Sequence, residues 1–173
     1  MKRILVAYAS KYGSTREIAE AIGKSLQSRG LQVDIDAVSN VESVETYDAV
    51  VLGSAVFAGR WMDEALKFAQ TYVNELAAIP TWLFSSGPTG EGDPDDLLEG
   101  WTLPENVEAL NERIQARDIA VFHGKLDMDE LPFFARLIVK GVKAPVGDFR
   151  QWDLIEAWAE QIAKQLQPVS YLQ

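Results

Sequence analysis

Ile4-Leu-Val-Ala-Tyr-Ala-Ser-Lys-Tyr-Gly-Ser-Thr-Arg-Glu-Ile-Ala-Glu-Ala-Ile22 is the stretch whose reading decides the fold. An unbroken apolar run stops at a small hydroxyl- and glycine-rich loop, which opens directly into an amphipathic helical pattern. Ser10, Ser14, Thr15 and a row of backbone N–H groups are thereby gathered at a helix N-terminus, where the macrodipole favours an anion. Part of this pattern has a purely structural explanation, because Ser14 followed by Glu17 has the spacing of a capping box.

The spacing narrows the kind of anion site. No G-x-x-x-x-G-K-[ST] is present, which excludes a Walker loop, and Gly13 stands alone where a dinucleotide fingerprint needs three spaced glycines. What remains, Ser10-x-x-Gly13-x-Thr15 after a first strand, resembles the flavodoxin phosphate loop that holds the monophosphate of FMN.

Bulk properties agree with such a protein. A chain of 173 residues suits one domain with a substantial core, here expected over 1–167 with 168–173 as a tail. Sixteen basic against 26 acidic residues give a net charge of −10, which argues against nucleic acid as a partner. There is no cysteine, so disulfides, thiol catalysis and thiolate metal sites are excluded and no metal site is expected. Redox chemistry would need a bound organic cofactor. The apolar run after Met1-Lys-Arg breaks at Ser10-Lys11, too soon for an export segment, and no stretch approaches the ~18 apolar residues of a membrane span. A cytoplasmic location is the expectation.

Further along, strand and helix patterns alternate. Ile4–Ala7, Ala49–Leu52, Trp82–Phe84 and Ile119–Phe122 are short continuous apolar runs, as strands covered on both faces require. Leu31, Val33, Ile35 and Ala37 alternate with polar residues, which predicts a half-exposed edge strand. Helical stripes run through Ile18, Ile22 and Leu26, ended by Gly30; through Leu66, Ala69, Val73 and Leu76; through Val107, Leu110 and Ile114; and through Ile155, Trp158, Ile162 and Leu166. The spacing predicts an α/β fold: a flavodoxin-like, doubly wound, five-stranded parallel sheet of order 2-1-3-4-5 with helices on both faces.

In that order ligands bind outside the carboxyl ends of strands 1 and 3, an arrangement that flavodoxins exemplify. The loop after the third predicted strand, Gly53-Ser-Ala-Val-Phe-Ala-Gly-Arg-Trp61, mixes small residues with aromatics. The loop after the fourth is Ser85-Ser-Gly-Pro-Thr-Gly-Glu-Gly-Asp93. A flat ring needs close backbone approach on its edges and apolar surface on its faces, and both loops offer these. Trp61 could equally face the core. A phospho-acceptor receiver domain, which shares this topology, is excluded because Tyr8-Ala9-Ser10 and Gly53-Ser54 stand where its acidic residues would be.

Thr15-Arg-Glu-Ile-Ala19, Tyr47-Asp-x-Val-Val-Leu-Gly-Ser54, Val56-x-x-Gly59 and Gly124-x-Leu126 look like the flavodoxin-domain family that includes the menaquinone-dependent protoporphyrinogen oxidases. Phe133-Phe-x-Arg-x-Ile-Val-Lys140, Gly147-Asp-Phe-Arg-x-Trp152 and Trp158-Ala are similar to the C-terminal third of that branch. The resemblance implies that Ser10, Lys11, Tyr12, Gly13, Ser14 and Thr15 hold the FMN phosphate. It implies that Val56, Phe57, Ala58 and Gly59 line the ring, with Ser86, Gly87 and Pro88 on its other side. Gly59, or the Ala58–Gly59 peptide, would accept a hydrogen bond from N5–H of the reduced ring. No catalytic side chain is implied, because the chemistry belongs to the flavin. Arg60 could stabilise an anionic reduced ring, and His123 could shuttle protons or simply be a hydrogen-bonded strand-end histidine.

Two segments pull the functional reading apart. Membrane-associated oxidases of this type carry a basic loop after the fourth strand, whereas this chain has Glu91, Asp93, Asp95, Asp96 and Glu99 there. Leu131–Lys143 is rich in large apolar residues with Arg136, Lys140 and Lys143, and could touch a quinone or a membrane periphery; the simpler expectation packs it on the sheet as the helix after strand five. Three readings stay open: an FMN-dependent, quinone-linked oxidoreductase acting on a small molecule such as protoporphyrinogen, an electron carrier docking a redox partner protein, or a non-redox scaffold that has lost flavin.

Overall fold

The computed structural model describes residues 1–92 and 103–167. The order of elements is β1 (Arg3–Ala9), α1 (Ser14–Ser28), β2 (Gln32–Ala37), β3 (Ala49–Phe57), β4 (Arg60–Trp61), α2 (Asp63–Thr71), α3 (Val73–Ala78) and β5 (Thr81–Ser86). It continues with α4 (Glu105–Ile114), β6 (Ile119–Phe122), β7 (Lys125–Leu126), α5 (Phe133–Val142), β8 (Gly147–Asp148) and α6 (Trp152–Leu166). Asp93, Asp95, Asp96 and Glu99 of the acidic loop, and the tail 168–173, lie outside the described residues.

Strands pair in the order β2-β1-β3-β5-β6, every pair parallel, which is the expected 2-1-3-4-5 arrangement once the short β4 is set aside. The continuous apolar runs are explained by double coverage. Ile4 and Val6 of β1 face a core closed by α1 and α6, while Leu5 and Ala7 face a second core closed by α2, α3 and α4. β2 forms the edge; its Asp34 takes Arg3 at 2.6 Å and the Tyr47 hydroxyl at 2.9 Å, so the polar side of the strand is used rather than wasted.

Gly30 ends α1 with φ +82°, its N–H donating to the Gln27 carbonyl at 2.9 Å, as a C-terminal cap requires. The stripe Leu66–Leu76 forms two helices instead of one. Thr71 Oγ1 donates to the Lys67 carbonyl at 2.8 Å, which competes with the helical ladder, and the chain bends at Tyr72.

The larger departure concerns Leu131–Lys143, which does not pack on the sheet. α6 covers that face instead, and α5 buries none of its side chains. Residues 125–148 leave the fold as an excursion whose base is a two-stranded antiparallel ladder, Lys125 opposite Asp148 and Leu126 opposite Gly147. The excursion carries α5 back over the carboxyl ends of the strands.

Candidate functional site

The β1–α1 loop turns where the Gly13 N–H donates to Ser10 Oγ at 3.1 Å. Gly13 is the N-cap of α1, with φ +88° and no side chain to satisfy the first turn. The Glu17 N–H donates to the Gly13 carbonyl at 3.0 Å, which leaves the N–H groups of Ser14, Thr15 and Arg16 ahead of the first helical bond. The expected capping box is therefore not formed. Ser14 sits inside the helix rather than at its cap, its Oγ accepts from the Lys125 N–H at 3.1 Å, and Glu17 is held by Arg150. Tertiary partners outcompete the local box, and the open helix end keeps its donors.

β3 and β4 form a hairpin in which Phe57 pairs with Arg60. Ala58 (φ +48°) and Gly59 (φ +71°) make the two-residue turn, both in the left-handed region that such a turn demands. Beyond β5, Gly87 lies so close to the β3 end that a Cβ on it would come within 3.1 Å of Val56 Cβ. The third strand end is pinned to this loop as well: the Gly87 N–H donates to the Phe122 carbonyl and the Gly124 N–H to the Pro88 carbonyl. His123 is buried, with Nδ1 3.1 Å from the Pro88 carbonyl oxygen and Nε2 2.8 Å from that of Gly92. It ties the β5 loop to β6, which is the structural role and not an exposed proton shuttle.

These strand ends and α5 enclose one cavity of about 440 Å³. Ser10, Lys11, Tyr12, Ser14 and Thr15 line one end, Val56, Phe57, Ala58, Ser86 and Gly87 the middle, and Leu131, Ala135, Ile138, Val139 and Val142 the far wall. All the predicted site residues thus border it except Gly13, Gly59 and Pro88, which shape the loops from behind. Tyr12 and Phe57 meet edge to face at 6.1 Å, and Lys11 Nζ lies 5.5 and 5.6 Å from their ring centres. Trp61 belongs to the core: it is buried and donates from Nε1 to Ser85 Oγ at 2.8 Å. Arg60 is exposed and does not line the cavity.

Lys125 and Arg150 carry no site signal in the sequence, and α5 carries an ambiguous one. Lys125 lines the cavity, its ammonium held 3.1 Å from Glu130. The hydrogen bond to Glu130 is the main reason that its pKa lies above the ordinary lysine value. Arg150, almost fully buried, bridges Glu17 and Asp148 at 2.6 Å each and stacks 4.5 Å over Trp152, so the base of the excursion is clasped to the first turn of α1. Asp148 is correspondingly held below the usual carboxylate range, first by its hydrogen bond from Arg150. The apolar inner side of α5 completes the cavity. Its signal in the sequence is the hydrophobicity of Leu131–Lys143, which favours a helix packed on the sheet over one facing a ligand.

The chain is 23% identical over 172 residues to protoporphyrinogen IX dehydrogenase [quinone] of Escherichia coli (strain K12), covering 93% of this chain and 94% of that protein. It is 26% identical over 138 residues to probable flavodoxin 1 of Bacillus subtilis (strain 168), covering 76% and 80% respectively. Oxidised flavodoxin 2 from Bacillus cereus superposes with a TM-score of 0.61 at 20% identity, covering 95% of this chain and 99% of that one. Residues 5–151 match the flavodoxin domain, a span that takes in the sheet, its loop ends and the base of the excursion; the chain belongs to that family, whose cofactor is FMN.

Proposed function

We propose that this protein is an FMN-dependent oxidoreductase that exchanges electrons with an apolar partner such as a quinone. The cavity lining supports the cofactor. In a chain of net charge −10 it carries Lys11 and Lys125 and no carboxylate among the described residues, and one end is an uncapped helix N-terminus. Ser10, Ser14, Thr15 and the first N–H groups of α1 would hold the phosphate, with Gly13 in the left-handed conformation that opens the helix end. Val56, Phe57 and Ala58 on one side and Ser86 and Gly87 on the other would bracket the ring. When bound, FMN supplies the acceptor and donor of hydride or single electrons.

What the chain adds is placement. Lys11 stands over the Tyr12–Phe57 rim, where its charge opposes the acidic surface and favours negative charge inside the cavity. The observation that carries the enzymatic reading is the far wall. Leu131, Ala135, Ile138, Val139 and Val142 present apolar surface to the same cavity, beyond what a phosphate-bearing ring requires. A quinone fits that chemistry, and protoporphyrinogen is a candidate donor by likeness to the Escherichia coli relative.

The test is anaerobic mixing of FMN-loaded protein with protoporphyrinogen and then menadione, followed by visible absorbance. Bleaching by the donor and recovery with the quinone is the expected result. A spectrum unmoved by either compound overturns the enzymatic reading in favour of an electron carrier, and absence of flavin bands after saturation with FMN overturns both.

A further inference from the structure

The first turn of α1 has two competing arrangements. In the local one that the spacing of Ser14 and Glu17 allows, the Ser14 hydroxyl would accept from the Glu17 N–H, and the Glu17 carboxylate would reach back to the Ser14 N–H. A carboxylate is favoured there because it meets the positive end of the helix. That arrangement would fill the anion end of the cavity with the chain's own charge. In the structure the Glu17 N–H donates to the Gly13 carbonyl instead, Ser14 Oγ accepts from the Lys125 N–H at 3.1 Å, and the Glu17 carboxylate accepts from Arg150 Nη1 at 2.6 Å. With an amide on its acceptor side, the Ser14 hydroxyl keeps its proton to donate.

Arg150 holds both partners that draw Ser14 and Glu17 apart. Its side chain is only 4% exposed, and its Nε and Nη2 grip the two oxygens of Asp148 at 2.8 and 2.6 Å. Nη1 also stands 3.5 Å from the Ser14 carbonyl oxygen. Asp148 in turn faces Lys125 across the β7–β8 ladder. The pKa of Lys125, raised chiefly by its hydrogen bond to Glu130, is raised further by the Glu17 charge, which puts that carboxylate within electrostatic reach of the cavity wall. We propose that Arg150 is a positioning residue for the FMN phosphate, acting by withholding Glu17 from the first turn of α1. The inference rests on the FMN reading above. Unclasped, Glu17 would occupy the helix end and repel a second anion; clasped, it leaves the Ser14 hydroxyl and the N–H groups of Ser14, Thr15 and Arg16 open to a phosphate. A flavin ring has no use for these donors, so the effect is confined to ligands that carry the phosphate.

The experiment compares FMN with riboflavin, the same ring without the phosphate, by fluorescence titration of the full chain. The unaltered chain should prefer FMN, and Arg150→Gln should cut that preference at least about tenfold. Glu17→Ala, which removes both the charge and the competing cap, should leave the preference intact by itself. Combined with Arg150→Gln it should restore most of what that variant loses. Amide exchange without ligand is a second readout: the Ser14 N–H should slow in Arg150→Gln, where it gains the Glu17 carboxylate, and recover in the double variant. Equal losses for FMN and riboflavin would make Arg150 a support of the excursion alone and overturn the proposal. A double variant no better than Arg150→Gln, or a Ser14 amide that does not slow, overturns it as well. If the unaltered chain binds riboflavin as tightly as FMN, the phosphate reading itself fails and this inference falls with it.

Discussion

Gly13 sits at φ +88° between the Ser10 hydroxyl and the first turn of α1, where a side chain would be strained and its Cβ would stand 3.5 Å from Arg16 Nη2. Gly13→Asp should bring backbone strain and a carboxylate to the loop proposed for the phosphate and weaken FMN binding at least about tenfold, given the ~1–4 kcal/mol between like charges at contact distance. Gly13→Asn, of similar size but neutral, should lose much less. Fluorescence titration checks both, and an unchanged dissociation constant for the aspartate variant would remove the loop from the phosphate site. Trp61 teaches the opposite lesson. An aromatic at a loop end looked equally suited to a ring face and to the core, and the hydrogen bond to Ser85 decides for the core. Trp61→Phe should cost about 1 kcal/mol or somewhat more, for the lost hydrogen bond and the smaller ring, in chemical denaturation. The turn from Ser10 to Thr15 is legible in the sequence because neighbours in the chain create it; the place of Lys125 on the cavity is not, because it depends on a ladder with Asp148.

The excursion from 125 to 148 is the element that separates this chain from a plain sheet-and-helix sandwich. Its attachment is electrostatic: the buried Arg150 guanidinium joins Glu17 on α1 to Asp148 on β8. Arg150→Gln should leave those carboxylates without their partner and lower stability by about 1–3 kcal/mol, less than a fully buried pair because both acids are partly exposed. The loss should be local first. Proteolysis within 125–148 should accelerate before the global transition moves, and uniform destabilisation without faster cleavage would refute the clasp. The pH dependence has a definite sign. Because the folded-state pKa of Asp148 is lowered, its contribution is complete above about pH 4 and is lost as the pH falls through the lowered value. Hydrogen exchange of the β7–β8 ladder should therefore speed up on acidification below that range, and Asp148→Asn should abolish this dependence.

Across the whole molecule, the parallel sheet brings loops that are distant in sequence to one end of the fold, and its interior tolerates little change. A Cβ on Gly53 would stand 2.0 Å from Phe84 Cζ, on a ring that is fully buried and packed near Phe122 and Trp158. Gly53→Ala should cost about 3 kcal/mol, read as a lower denaturation midpoint, since the ring has no free direction in which to move. The cavity wall makes a different prediction: Ile138→Ser should raise the KM for menadione several-fold, about 1 kcal/mol of lost apolar contact, with a smaller change in kcat. By itself the sequence determined the strands, the helix stripes, the sheet order and the tight loop that opens α1. Each of these follows from patterns repeated within a few residues, or from chain connectivity that permits few alternatives. Tertiary structure decided the rest. Whether Ser14 and Glu17 cap their own helix or hold the excursion, whether Trp61 faces ring or core, and whether Leu131–Lys143 covers the sheet or roofs the cavity are competitions between partners far apart in the chain. Local pattern cannot rank those partners, because an apolar helix has the same composition against a sheet, a ligand or a lipid.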